Sequence, residues 1–126
     1  MQSRIVLISD DADFFVYVYP KLNLRKSDEL FKFKFDEVPE KIHLLSASVL
    51  IINSENSAQK TLELLRLVRG LPAIIFGFNE NEDLKINACK LGALGFLTPF
   101  TNDDEFWALI VTGLNIASLQ MKTLQY

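Results

Sequence analysis

Short aliphatic runs alternate along this chain with stretches whose apolar residues recur at helical spacing. Residues 4 to 9 read RIVLIS, a continuous run that predicts a strand buried on both faces of a sheet. ADFFVYVY follows, with Phe14, Val18 and Leu22 on one side of a predicted helix that Pro20 breaks near Tyr19. ELFKFKF (29 to 35) alternates strictly, placing Phe31, Phe33 and Phe35 on one face and Leu30, Lys32 and Lys34 on the other. A short helix is predicted from Pro39 to about Leu45, since proline suits a first helical position. VLIINSENS (49 to 57) then runs four aliphatic residues into a polar cluster, as a buried strand ending at a surface does.

The second half repeats the alternation. AQKTLELLRLVRG carries Leu62, Leu65 and then Val68 or Arg69 at helical spacing and stops at Gly70. LPAIIFGF is a buried strand interrupted by Gly77, NEDLKINACKLG an amphipathic helix closing on Gly92, and ALGFLTPF a short strand running into Pro99. The chain ends in a long helix, about 103 to 124, with acidic residues in its first turn, where the helix dipole favours them.

Strands alternating with helices in this way predict an α/β fold, a doubly wound parallel sheet covered on both faces. Lysines on the second strand suit a sheet edge, which fits the flavodoxin-like (βα)5 order 2-1-3-4-5. In that order the first and third strands end side by side, so Asp10, Asp11 and Asn53 are expected in one cleft. With 126 residues, 49% of them hydrophobic, the chain is expected to be one domain, 1 to 126, large enough to bury a core without staples. A net charge of −3 and a pI near 5.1 argue against a surface that neutralises nucleic-acid phosphates. A single cysteine, Cys89, forms no internal disulfide, and the sequence has neither a signal peptide nor an apolar run of about 18 residues, so a cytoplasmic protein without membrane partners is expected. His43 has no second histidine and no clustered cysteines to complete a metal site and is read as a surface or hydrogen-bond-satisfied residue.

Asp10-Asp11 after the first strand, VLIIN, LELLRLVRGLPAIIF, KLGALGF and the Pro99-Phe100 pair resemble, in order and spacing, the receiver domains of two-component response regulators. The resemblance covers essentially the whole chain. It implies that an acidic pair holds a divalent metal, that an Asp ending the third strand accepts a phosphoryl group, that a Ser or Thr ends the fourth strand, and that a Lys precedes the proline. The chemistry needs each: a carboxylate nucleophile, a metal to neutralise developing charge, and a hydroxyl and an ammonium to bind the phosphoryl oxygens.

Three of those positions differ here. Asn53 stands at the phosphoacceptor position, Gly77 replaces the hydroxyl residue, and the lysine before Pro99 is either replaced by Thr98 or deleted. An amide has no ionisable oxygen with which to form an acyl phosphate, so phosphorylation and enzymatic catalysis are not expected. The resemblance further equates Phe96 with an aromatic that toggles on phosphorylation; here it is read either as fixed in one rotamer or as a plain core residue. Asp10 and Asp11, with Asn53 and the Glu55 carbonyl, could bind Mg2+ weakly, but capping of the first helix is the competing reading, and no cofactor is otherwise expected. The Glu55 side chain is expected to point elsewhere.

In the terminal helix Trp107, Ile110, Leu114, Ala117, Met121 and Leu124 follow steps of three and four, the spacing of a heptad seam, with Phe106, Leu109 and Val111 widening the apolar surface. These residues suggest a dimer or partner face, with a homodimer through the helix 4, strand 5 and helix 5 surface, and a helix that could continue into a linker or coiled coil. Two functions follow. The first is a non-phosphorylatable pseudo-receiver, an interaction and dimerisation module contacting a signalling protein or its own output domain. The alternative is a receiver that senses a small molecule in a neutral cleft lined by Asn53, Ser54, Gly77 and Thr98.

Overall fold

In the computed structural model, residues 4–22, 28–45, 48–55, 57–77 and 81–124 are described, with side chains through residue 120. The aliphatic runs form the middle of a parallel sheet whose strands are β1 (Arg4–Ile8), β2 (Glu29–Phe33), β3 (Ser48–Asn53), β4 (Ala73–Phe76) and β5 (Gly95–Leu97). Their spatial order is β2-β1-β3-β4-β5, the flavodoxin-like order, and every pairing is parallel. Arg4 pairs with Glu29 on one side and Ser48 on the other, so β1 is flanked along its whole length.

That topology explains the unbroken aliphatic runs. Successive side chains of a strand face opposite sides, and here both sides carry helices. Val6 and Ile8 join Leu50, Ile52 and Ile75 in one buried cluster, which α3 (Ala58–Leu67) and α4 (Glu82–Lys90) cover. Ile5 and Leu7 join Val49, Ile51 and Ile74 in the other, under α1 (Ala12–Val18) and α5 (Asp103–Leu124). β2 is an edge strand as its lysines imply; Phe33 is buried and stacks on Phe31 with ring centroids 6.0 Å apart.

Four local expectations change. The alternating strand stops at Phe33, and Phe35 opens a single 3-10 turn, Phe35–Glu37. The helix expected from Pro39 is one short turn, α2 (Val38–Lys41), followed by a 3-10 turn, Ile42–Leu44. Of the face expected on α3, Leu65 and Val68 are buried and Leu62 is half-buried against them, but Thr61 and Leu64 join the buried side as well. Both α3 and α4 do close on glycine: Gly70 and Gly92 have φ of 96° and 94°, a left-handed conformation that costs other residues strain.

The fourth change concerns α5. Ile110 and Ala117, from the expected partner seam, are buried, with Phe106 beside them. Trp107 and Leu114 are half-buried against the same core. The three-four spacing therefore marks the stripe that α5 lays on the sheet, and Ile110 is not available to a partner. Met121 lies within α5, but its side chain is outside the described residues. Gly113 permits this close approach, since a Cβ there would sit 2.4 Å from Val49 Cγ2.

Candidate functional site

The strand order reverses between β1 and β3, and ligands of open α/β sheets bind where neighbouring strands diverge in this way. Ile8 pairs with Ile52, so the next residues along the two strands, Ser9 and Asn53, come side by side. Both are buried, Asn53 to 4% exposure. Asn53 Nδ2 donates to Ser9 Oγ at 2.9 Å, and Asn53 Oδ1 accepts from the Glu55 backbone N–H at 3.1 Å. Ser9 Oγ in turn donates to the Asp11 carbonyl at 3.1 Å and accepts from the Asp11 N–H at 3.0 Å. One amide thus ties the loop after β1 to the loop after β3.

The acidic pair divides around this clasp. Asp11 is the N-cap of α1, its carboxylate accepting from the Asp13 N–H at 3.0 Å, as the capping reading supposed. It lines a cavity of about 380 Å³ together with Asn53. Asp10 instead accepts from the Phe35 N–H at 3.1 Å and pairs with Lys60 at 3.5 Å. It lines a separate cavity of about 620 Å³, between the β2-α2 connection and α3. The single cleft expected for Asp10, Asp11 and Asn53 is therefore two. Among the described residues no three His, Cys, Asp or Glu side chains are grouped to hold a metal ion.

The expected neutral cleft also divides. Ser54, Gly77, Phe96 and Thr98 line a third cavity of about 140 Å³ on the α4 side, apart from Asn53. Ser54 Oγ donates to the Phe76 carbonyl at 3.0 Å, and Thr98 Oγ1 accepts from the Phe100 N–H at 3.1 Å, closing the turn that contains Pro99. Phe96 is half-buried against the α3-α4 core, and the Lys85 ammonium lies 5.9 Å from its ring centroid. Asn53's own cavity is not neutral: Asp11, Asp13 and Glu55 all line it. Phe14, Tyr17 and Phe76 form its remaining wall.

Sequence reasoning missed Ser9 and Tyr17. Ser9 was legible in principle, because it follows a buried strand at the same offset as Asn53. Tyr17 was not, because its hydroxyl donates to the Pro99 carbonyl at 3.1 Å across a separation of 82 residues. His43 and Cys89 are both exposed. No described helix is long and apolar enough to cross a membrane.

Solved structures resemble this arrangement over nearly its whole length. A response regulator from Thermotoga maritima superposes with a TM-score of 0.76 at 13% identity, covering 91% of this chain and 99% of its own. A CheY-like response regulator from Mesorhizobium loti gives 0.70 at 13%, covering 90% and 99%. Full-length FixJ from B. japonicum gives 0.75 at 21%, covering 95% of this chain and 61% of that one. This chain has the receiver-domain fold. No protein-family model and no curated protein sequence matches the chain significantly. Within the receiver fold, Asn53 ends β3, Gly77 follows β4 and Thr98 follows β5, the strand ends to which the resemblance assigns the phosphoacceptor, the hydroxyl and the lysine.

Proposed function

We propose that the chain is a receiver-fold signalling module that accepts no phosphoryl group and acts through contacts with other proteins. The observation that carries this reading is Asn53. It stands where a nucleophilic carboxylate would be needed, and its amide is engaged as both donor and acceptor. A carboxamide offers no nucleophilic oxygen at that strand end, and the Thr98 hydroxyl that stands in the lysine's region is engaged in its own turn. The module's output is a partner or its own output domain, contacted through α4, β5 and α5, with a homodimer as the expected assembly. Ile86 on α4 and Leu119 on α5, exposed to 54% and 62%, replace Ile110 as the apolar contacts of that surface.

Titration with beryllofluoride and Mg2+, which mimics a phosphorylated carboxylate, tests the reading by amide shifts. No saturable change is expected at Asn53 or Glu55. A saturable shift at these residues would overturn it. Light scattering of Ile86→Asp and Leu119→Asp variants tests the assembly, with a monomer expected from each.

A further inference from the structure

The cavity beside Asn53 has a wall that the receiver-domain resemblance does not account for. Phe14 and Phe76 meet edge to face with centroids 5.3 Å apart, and Tyr17 lies against Phe76 at 5.9 Å, so the Tyr17 ring is held on two covered ones. Phe14 and Phe76 are buried, while Tyr17 is 38% exposed and forms the rim. Facing solvent around the same cavity are Asp11, Asp13 and Glu55, and no Lys, Arg or His lines it among the described residues. The volume, about 380 Å³, lies within the range of small-molecule sites.

Asn53 supplies a further feature. Its side-chain oxygen is in a residue 4% exposed; among the described residues it accepts from the Glu55 N–H, and a carbonyl oxygen has two lone pairs. Aromatic faces attract cations whose charge is spread over an organic group, and carboxylates at the rim complement the same charge. A hydrated metal ion would gain nothing from the rings. The Tyr17 ring already attracts one ammonium: Lys21 Nζ lies 5.5 Å from its centroid, although Lys21 is not part of this cavity's lining.

We propose that this cavity binds an organic cation, an alkylammonium or guanidinium group, with its hydrocarbon part on the Tyr17 ring. One of its N–H groups donates to Asn53 Oδ1, and its charge faces Asp11, Asp13 and Glu55. The inference deepens the proposed function and rests on it, since without phosphoryl chemistry the Asn53 cavity is open to another ligand.

The test is a titration of the whole chain with agmatine, followed by amide shifts including the Asn53 side chain, beside MgCl2 and NaCl at matched ionic strength. Saturable shifts at Asn53, Glu55 and Tyr17 with agmatine alone are expected. Tyr17→Leu should weaken binding about two- to fivefold, the effect of removing one exposed cation–π contact, while Tyr17→Phe keeps it. Asp13→Asn should weaken it as well. The capped peptide acetyl-Gly-Arg-Gly-amide carries the same guanidinium on a polypeptide. Tighter binding of agmatine assigns the cation to a free small molecule, tighter binding of the peptide to a partner's side chain, and either supports the site. Shifts that follow ionic strength alone, or saturation by Mg2+ without agmatine, overturn it. No response to either agmatine or beryllofluoride rejects the cation site and leaves the non-phosphorylated reading standing; a beryllofluoride response rejects both.

Discussion

Asn53 holds its place because an amide both gives and accepts a hydrogen bond. Ser9 Oγ has one hydrogen, and that hydrogen goes to the Asp11 carbonyl, so Asn53 Nδ2 must be the donor between the two side chains. Ser9→Ala removes a buried acceptor and leaves the amide unpaired, a loss of about 1–3 kcal/mol that urea unfolding would read. Asn53→Asp is expected to destabilise the chain at neutral pH, although it restores the residue that phosphoryl chemistry requires. The new carboxylate would be buried, would face the lone pairs of Ser9 Oγ, and would stand beside the cavity lined by Asp11, Asp13 and Glu55. Burial and like charge raise its pKa in the folded state above the unfolded value of about 3.9. The folded state then binds more protons, so the variant's stability, measured against the natural chain, should fall as pH rises through that interval and recover below it. A variant equally stable at pH 4 and pH 7 would contradict this.

Among the helices, α5 carries the strongest packing constraint. Ile110→Ala empties space in a fully buried position and should cost about 2–5 kcal/mol without altering oligomeric state, whereas Leu119→Ala, on an exposed position, should change stability by no more than about 0.5 kcal/mol. If Ile110→Ala instead dissociated an assembly while leaving unfolding unchanged, the stripe would be a partner seam after all. Gly113→Ala exposes two opposed effects. Alanine improves helix propensity by about 1 kcal/mol, yet its methyl would meet Val49 Cγ2 at 2.4 Å, and overpacking a core costs about 1–3 kcal/mol. Net destabilisation is expected. In a Val49→Ala background the same change should become neutral or favourable, because the obstructing methyl is gone, and the double-mutant cycle would report that coupling.

At the scale of the whole molecule, the sheet was readable because two-sided burial leaves an unmistakable trace: Ile5 and Leu7 face one core and Val6 and Ile8 the other, so no polar residue interrupts the run. The strand ends were readable for the same reason, and with them the neighbourhood of Asn53. What the pattern did not contain was the direction of each loop beyond its strand. Asp10 and Asp11 are adjacent in sequence but turn to different cavities, one to Lys60 and one to the α1 cap. Nor could the three-four spacing of α5 distinguish a stripe on the sheet from a seam for a partner, since both need the same periodicity. The divided cleft has a consequence for signalling. Asn53's cavity faces α1, while Gly77, Thr98 and Phe96 line the one beside α4. Gly77 has no side chain to link them, and the Thr98 hydroxyl is engaged within its own turn. Occupation of the Asn53 cavity should therefore shift amides in residues 9–17 and 53–55 and leave those of Lys85 and Phe96 unmoved. Combining Asn53→Asp with Gly77→Ser and Thr98→Lys supplies the nucleophile, the hydroxyl and the ammonium that the resemblance assigns to these three strand ends, and beryllofluoride with Mg2+ should then carry the shift to Phe96. A Phe96 response in the natural chain would mean that the two cavities communicate through the backbone of β4 and β5, without the polar side chains that phosphoryl chemistry would use.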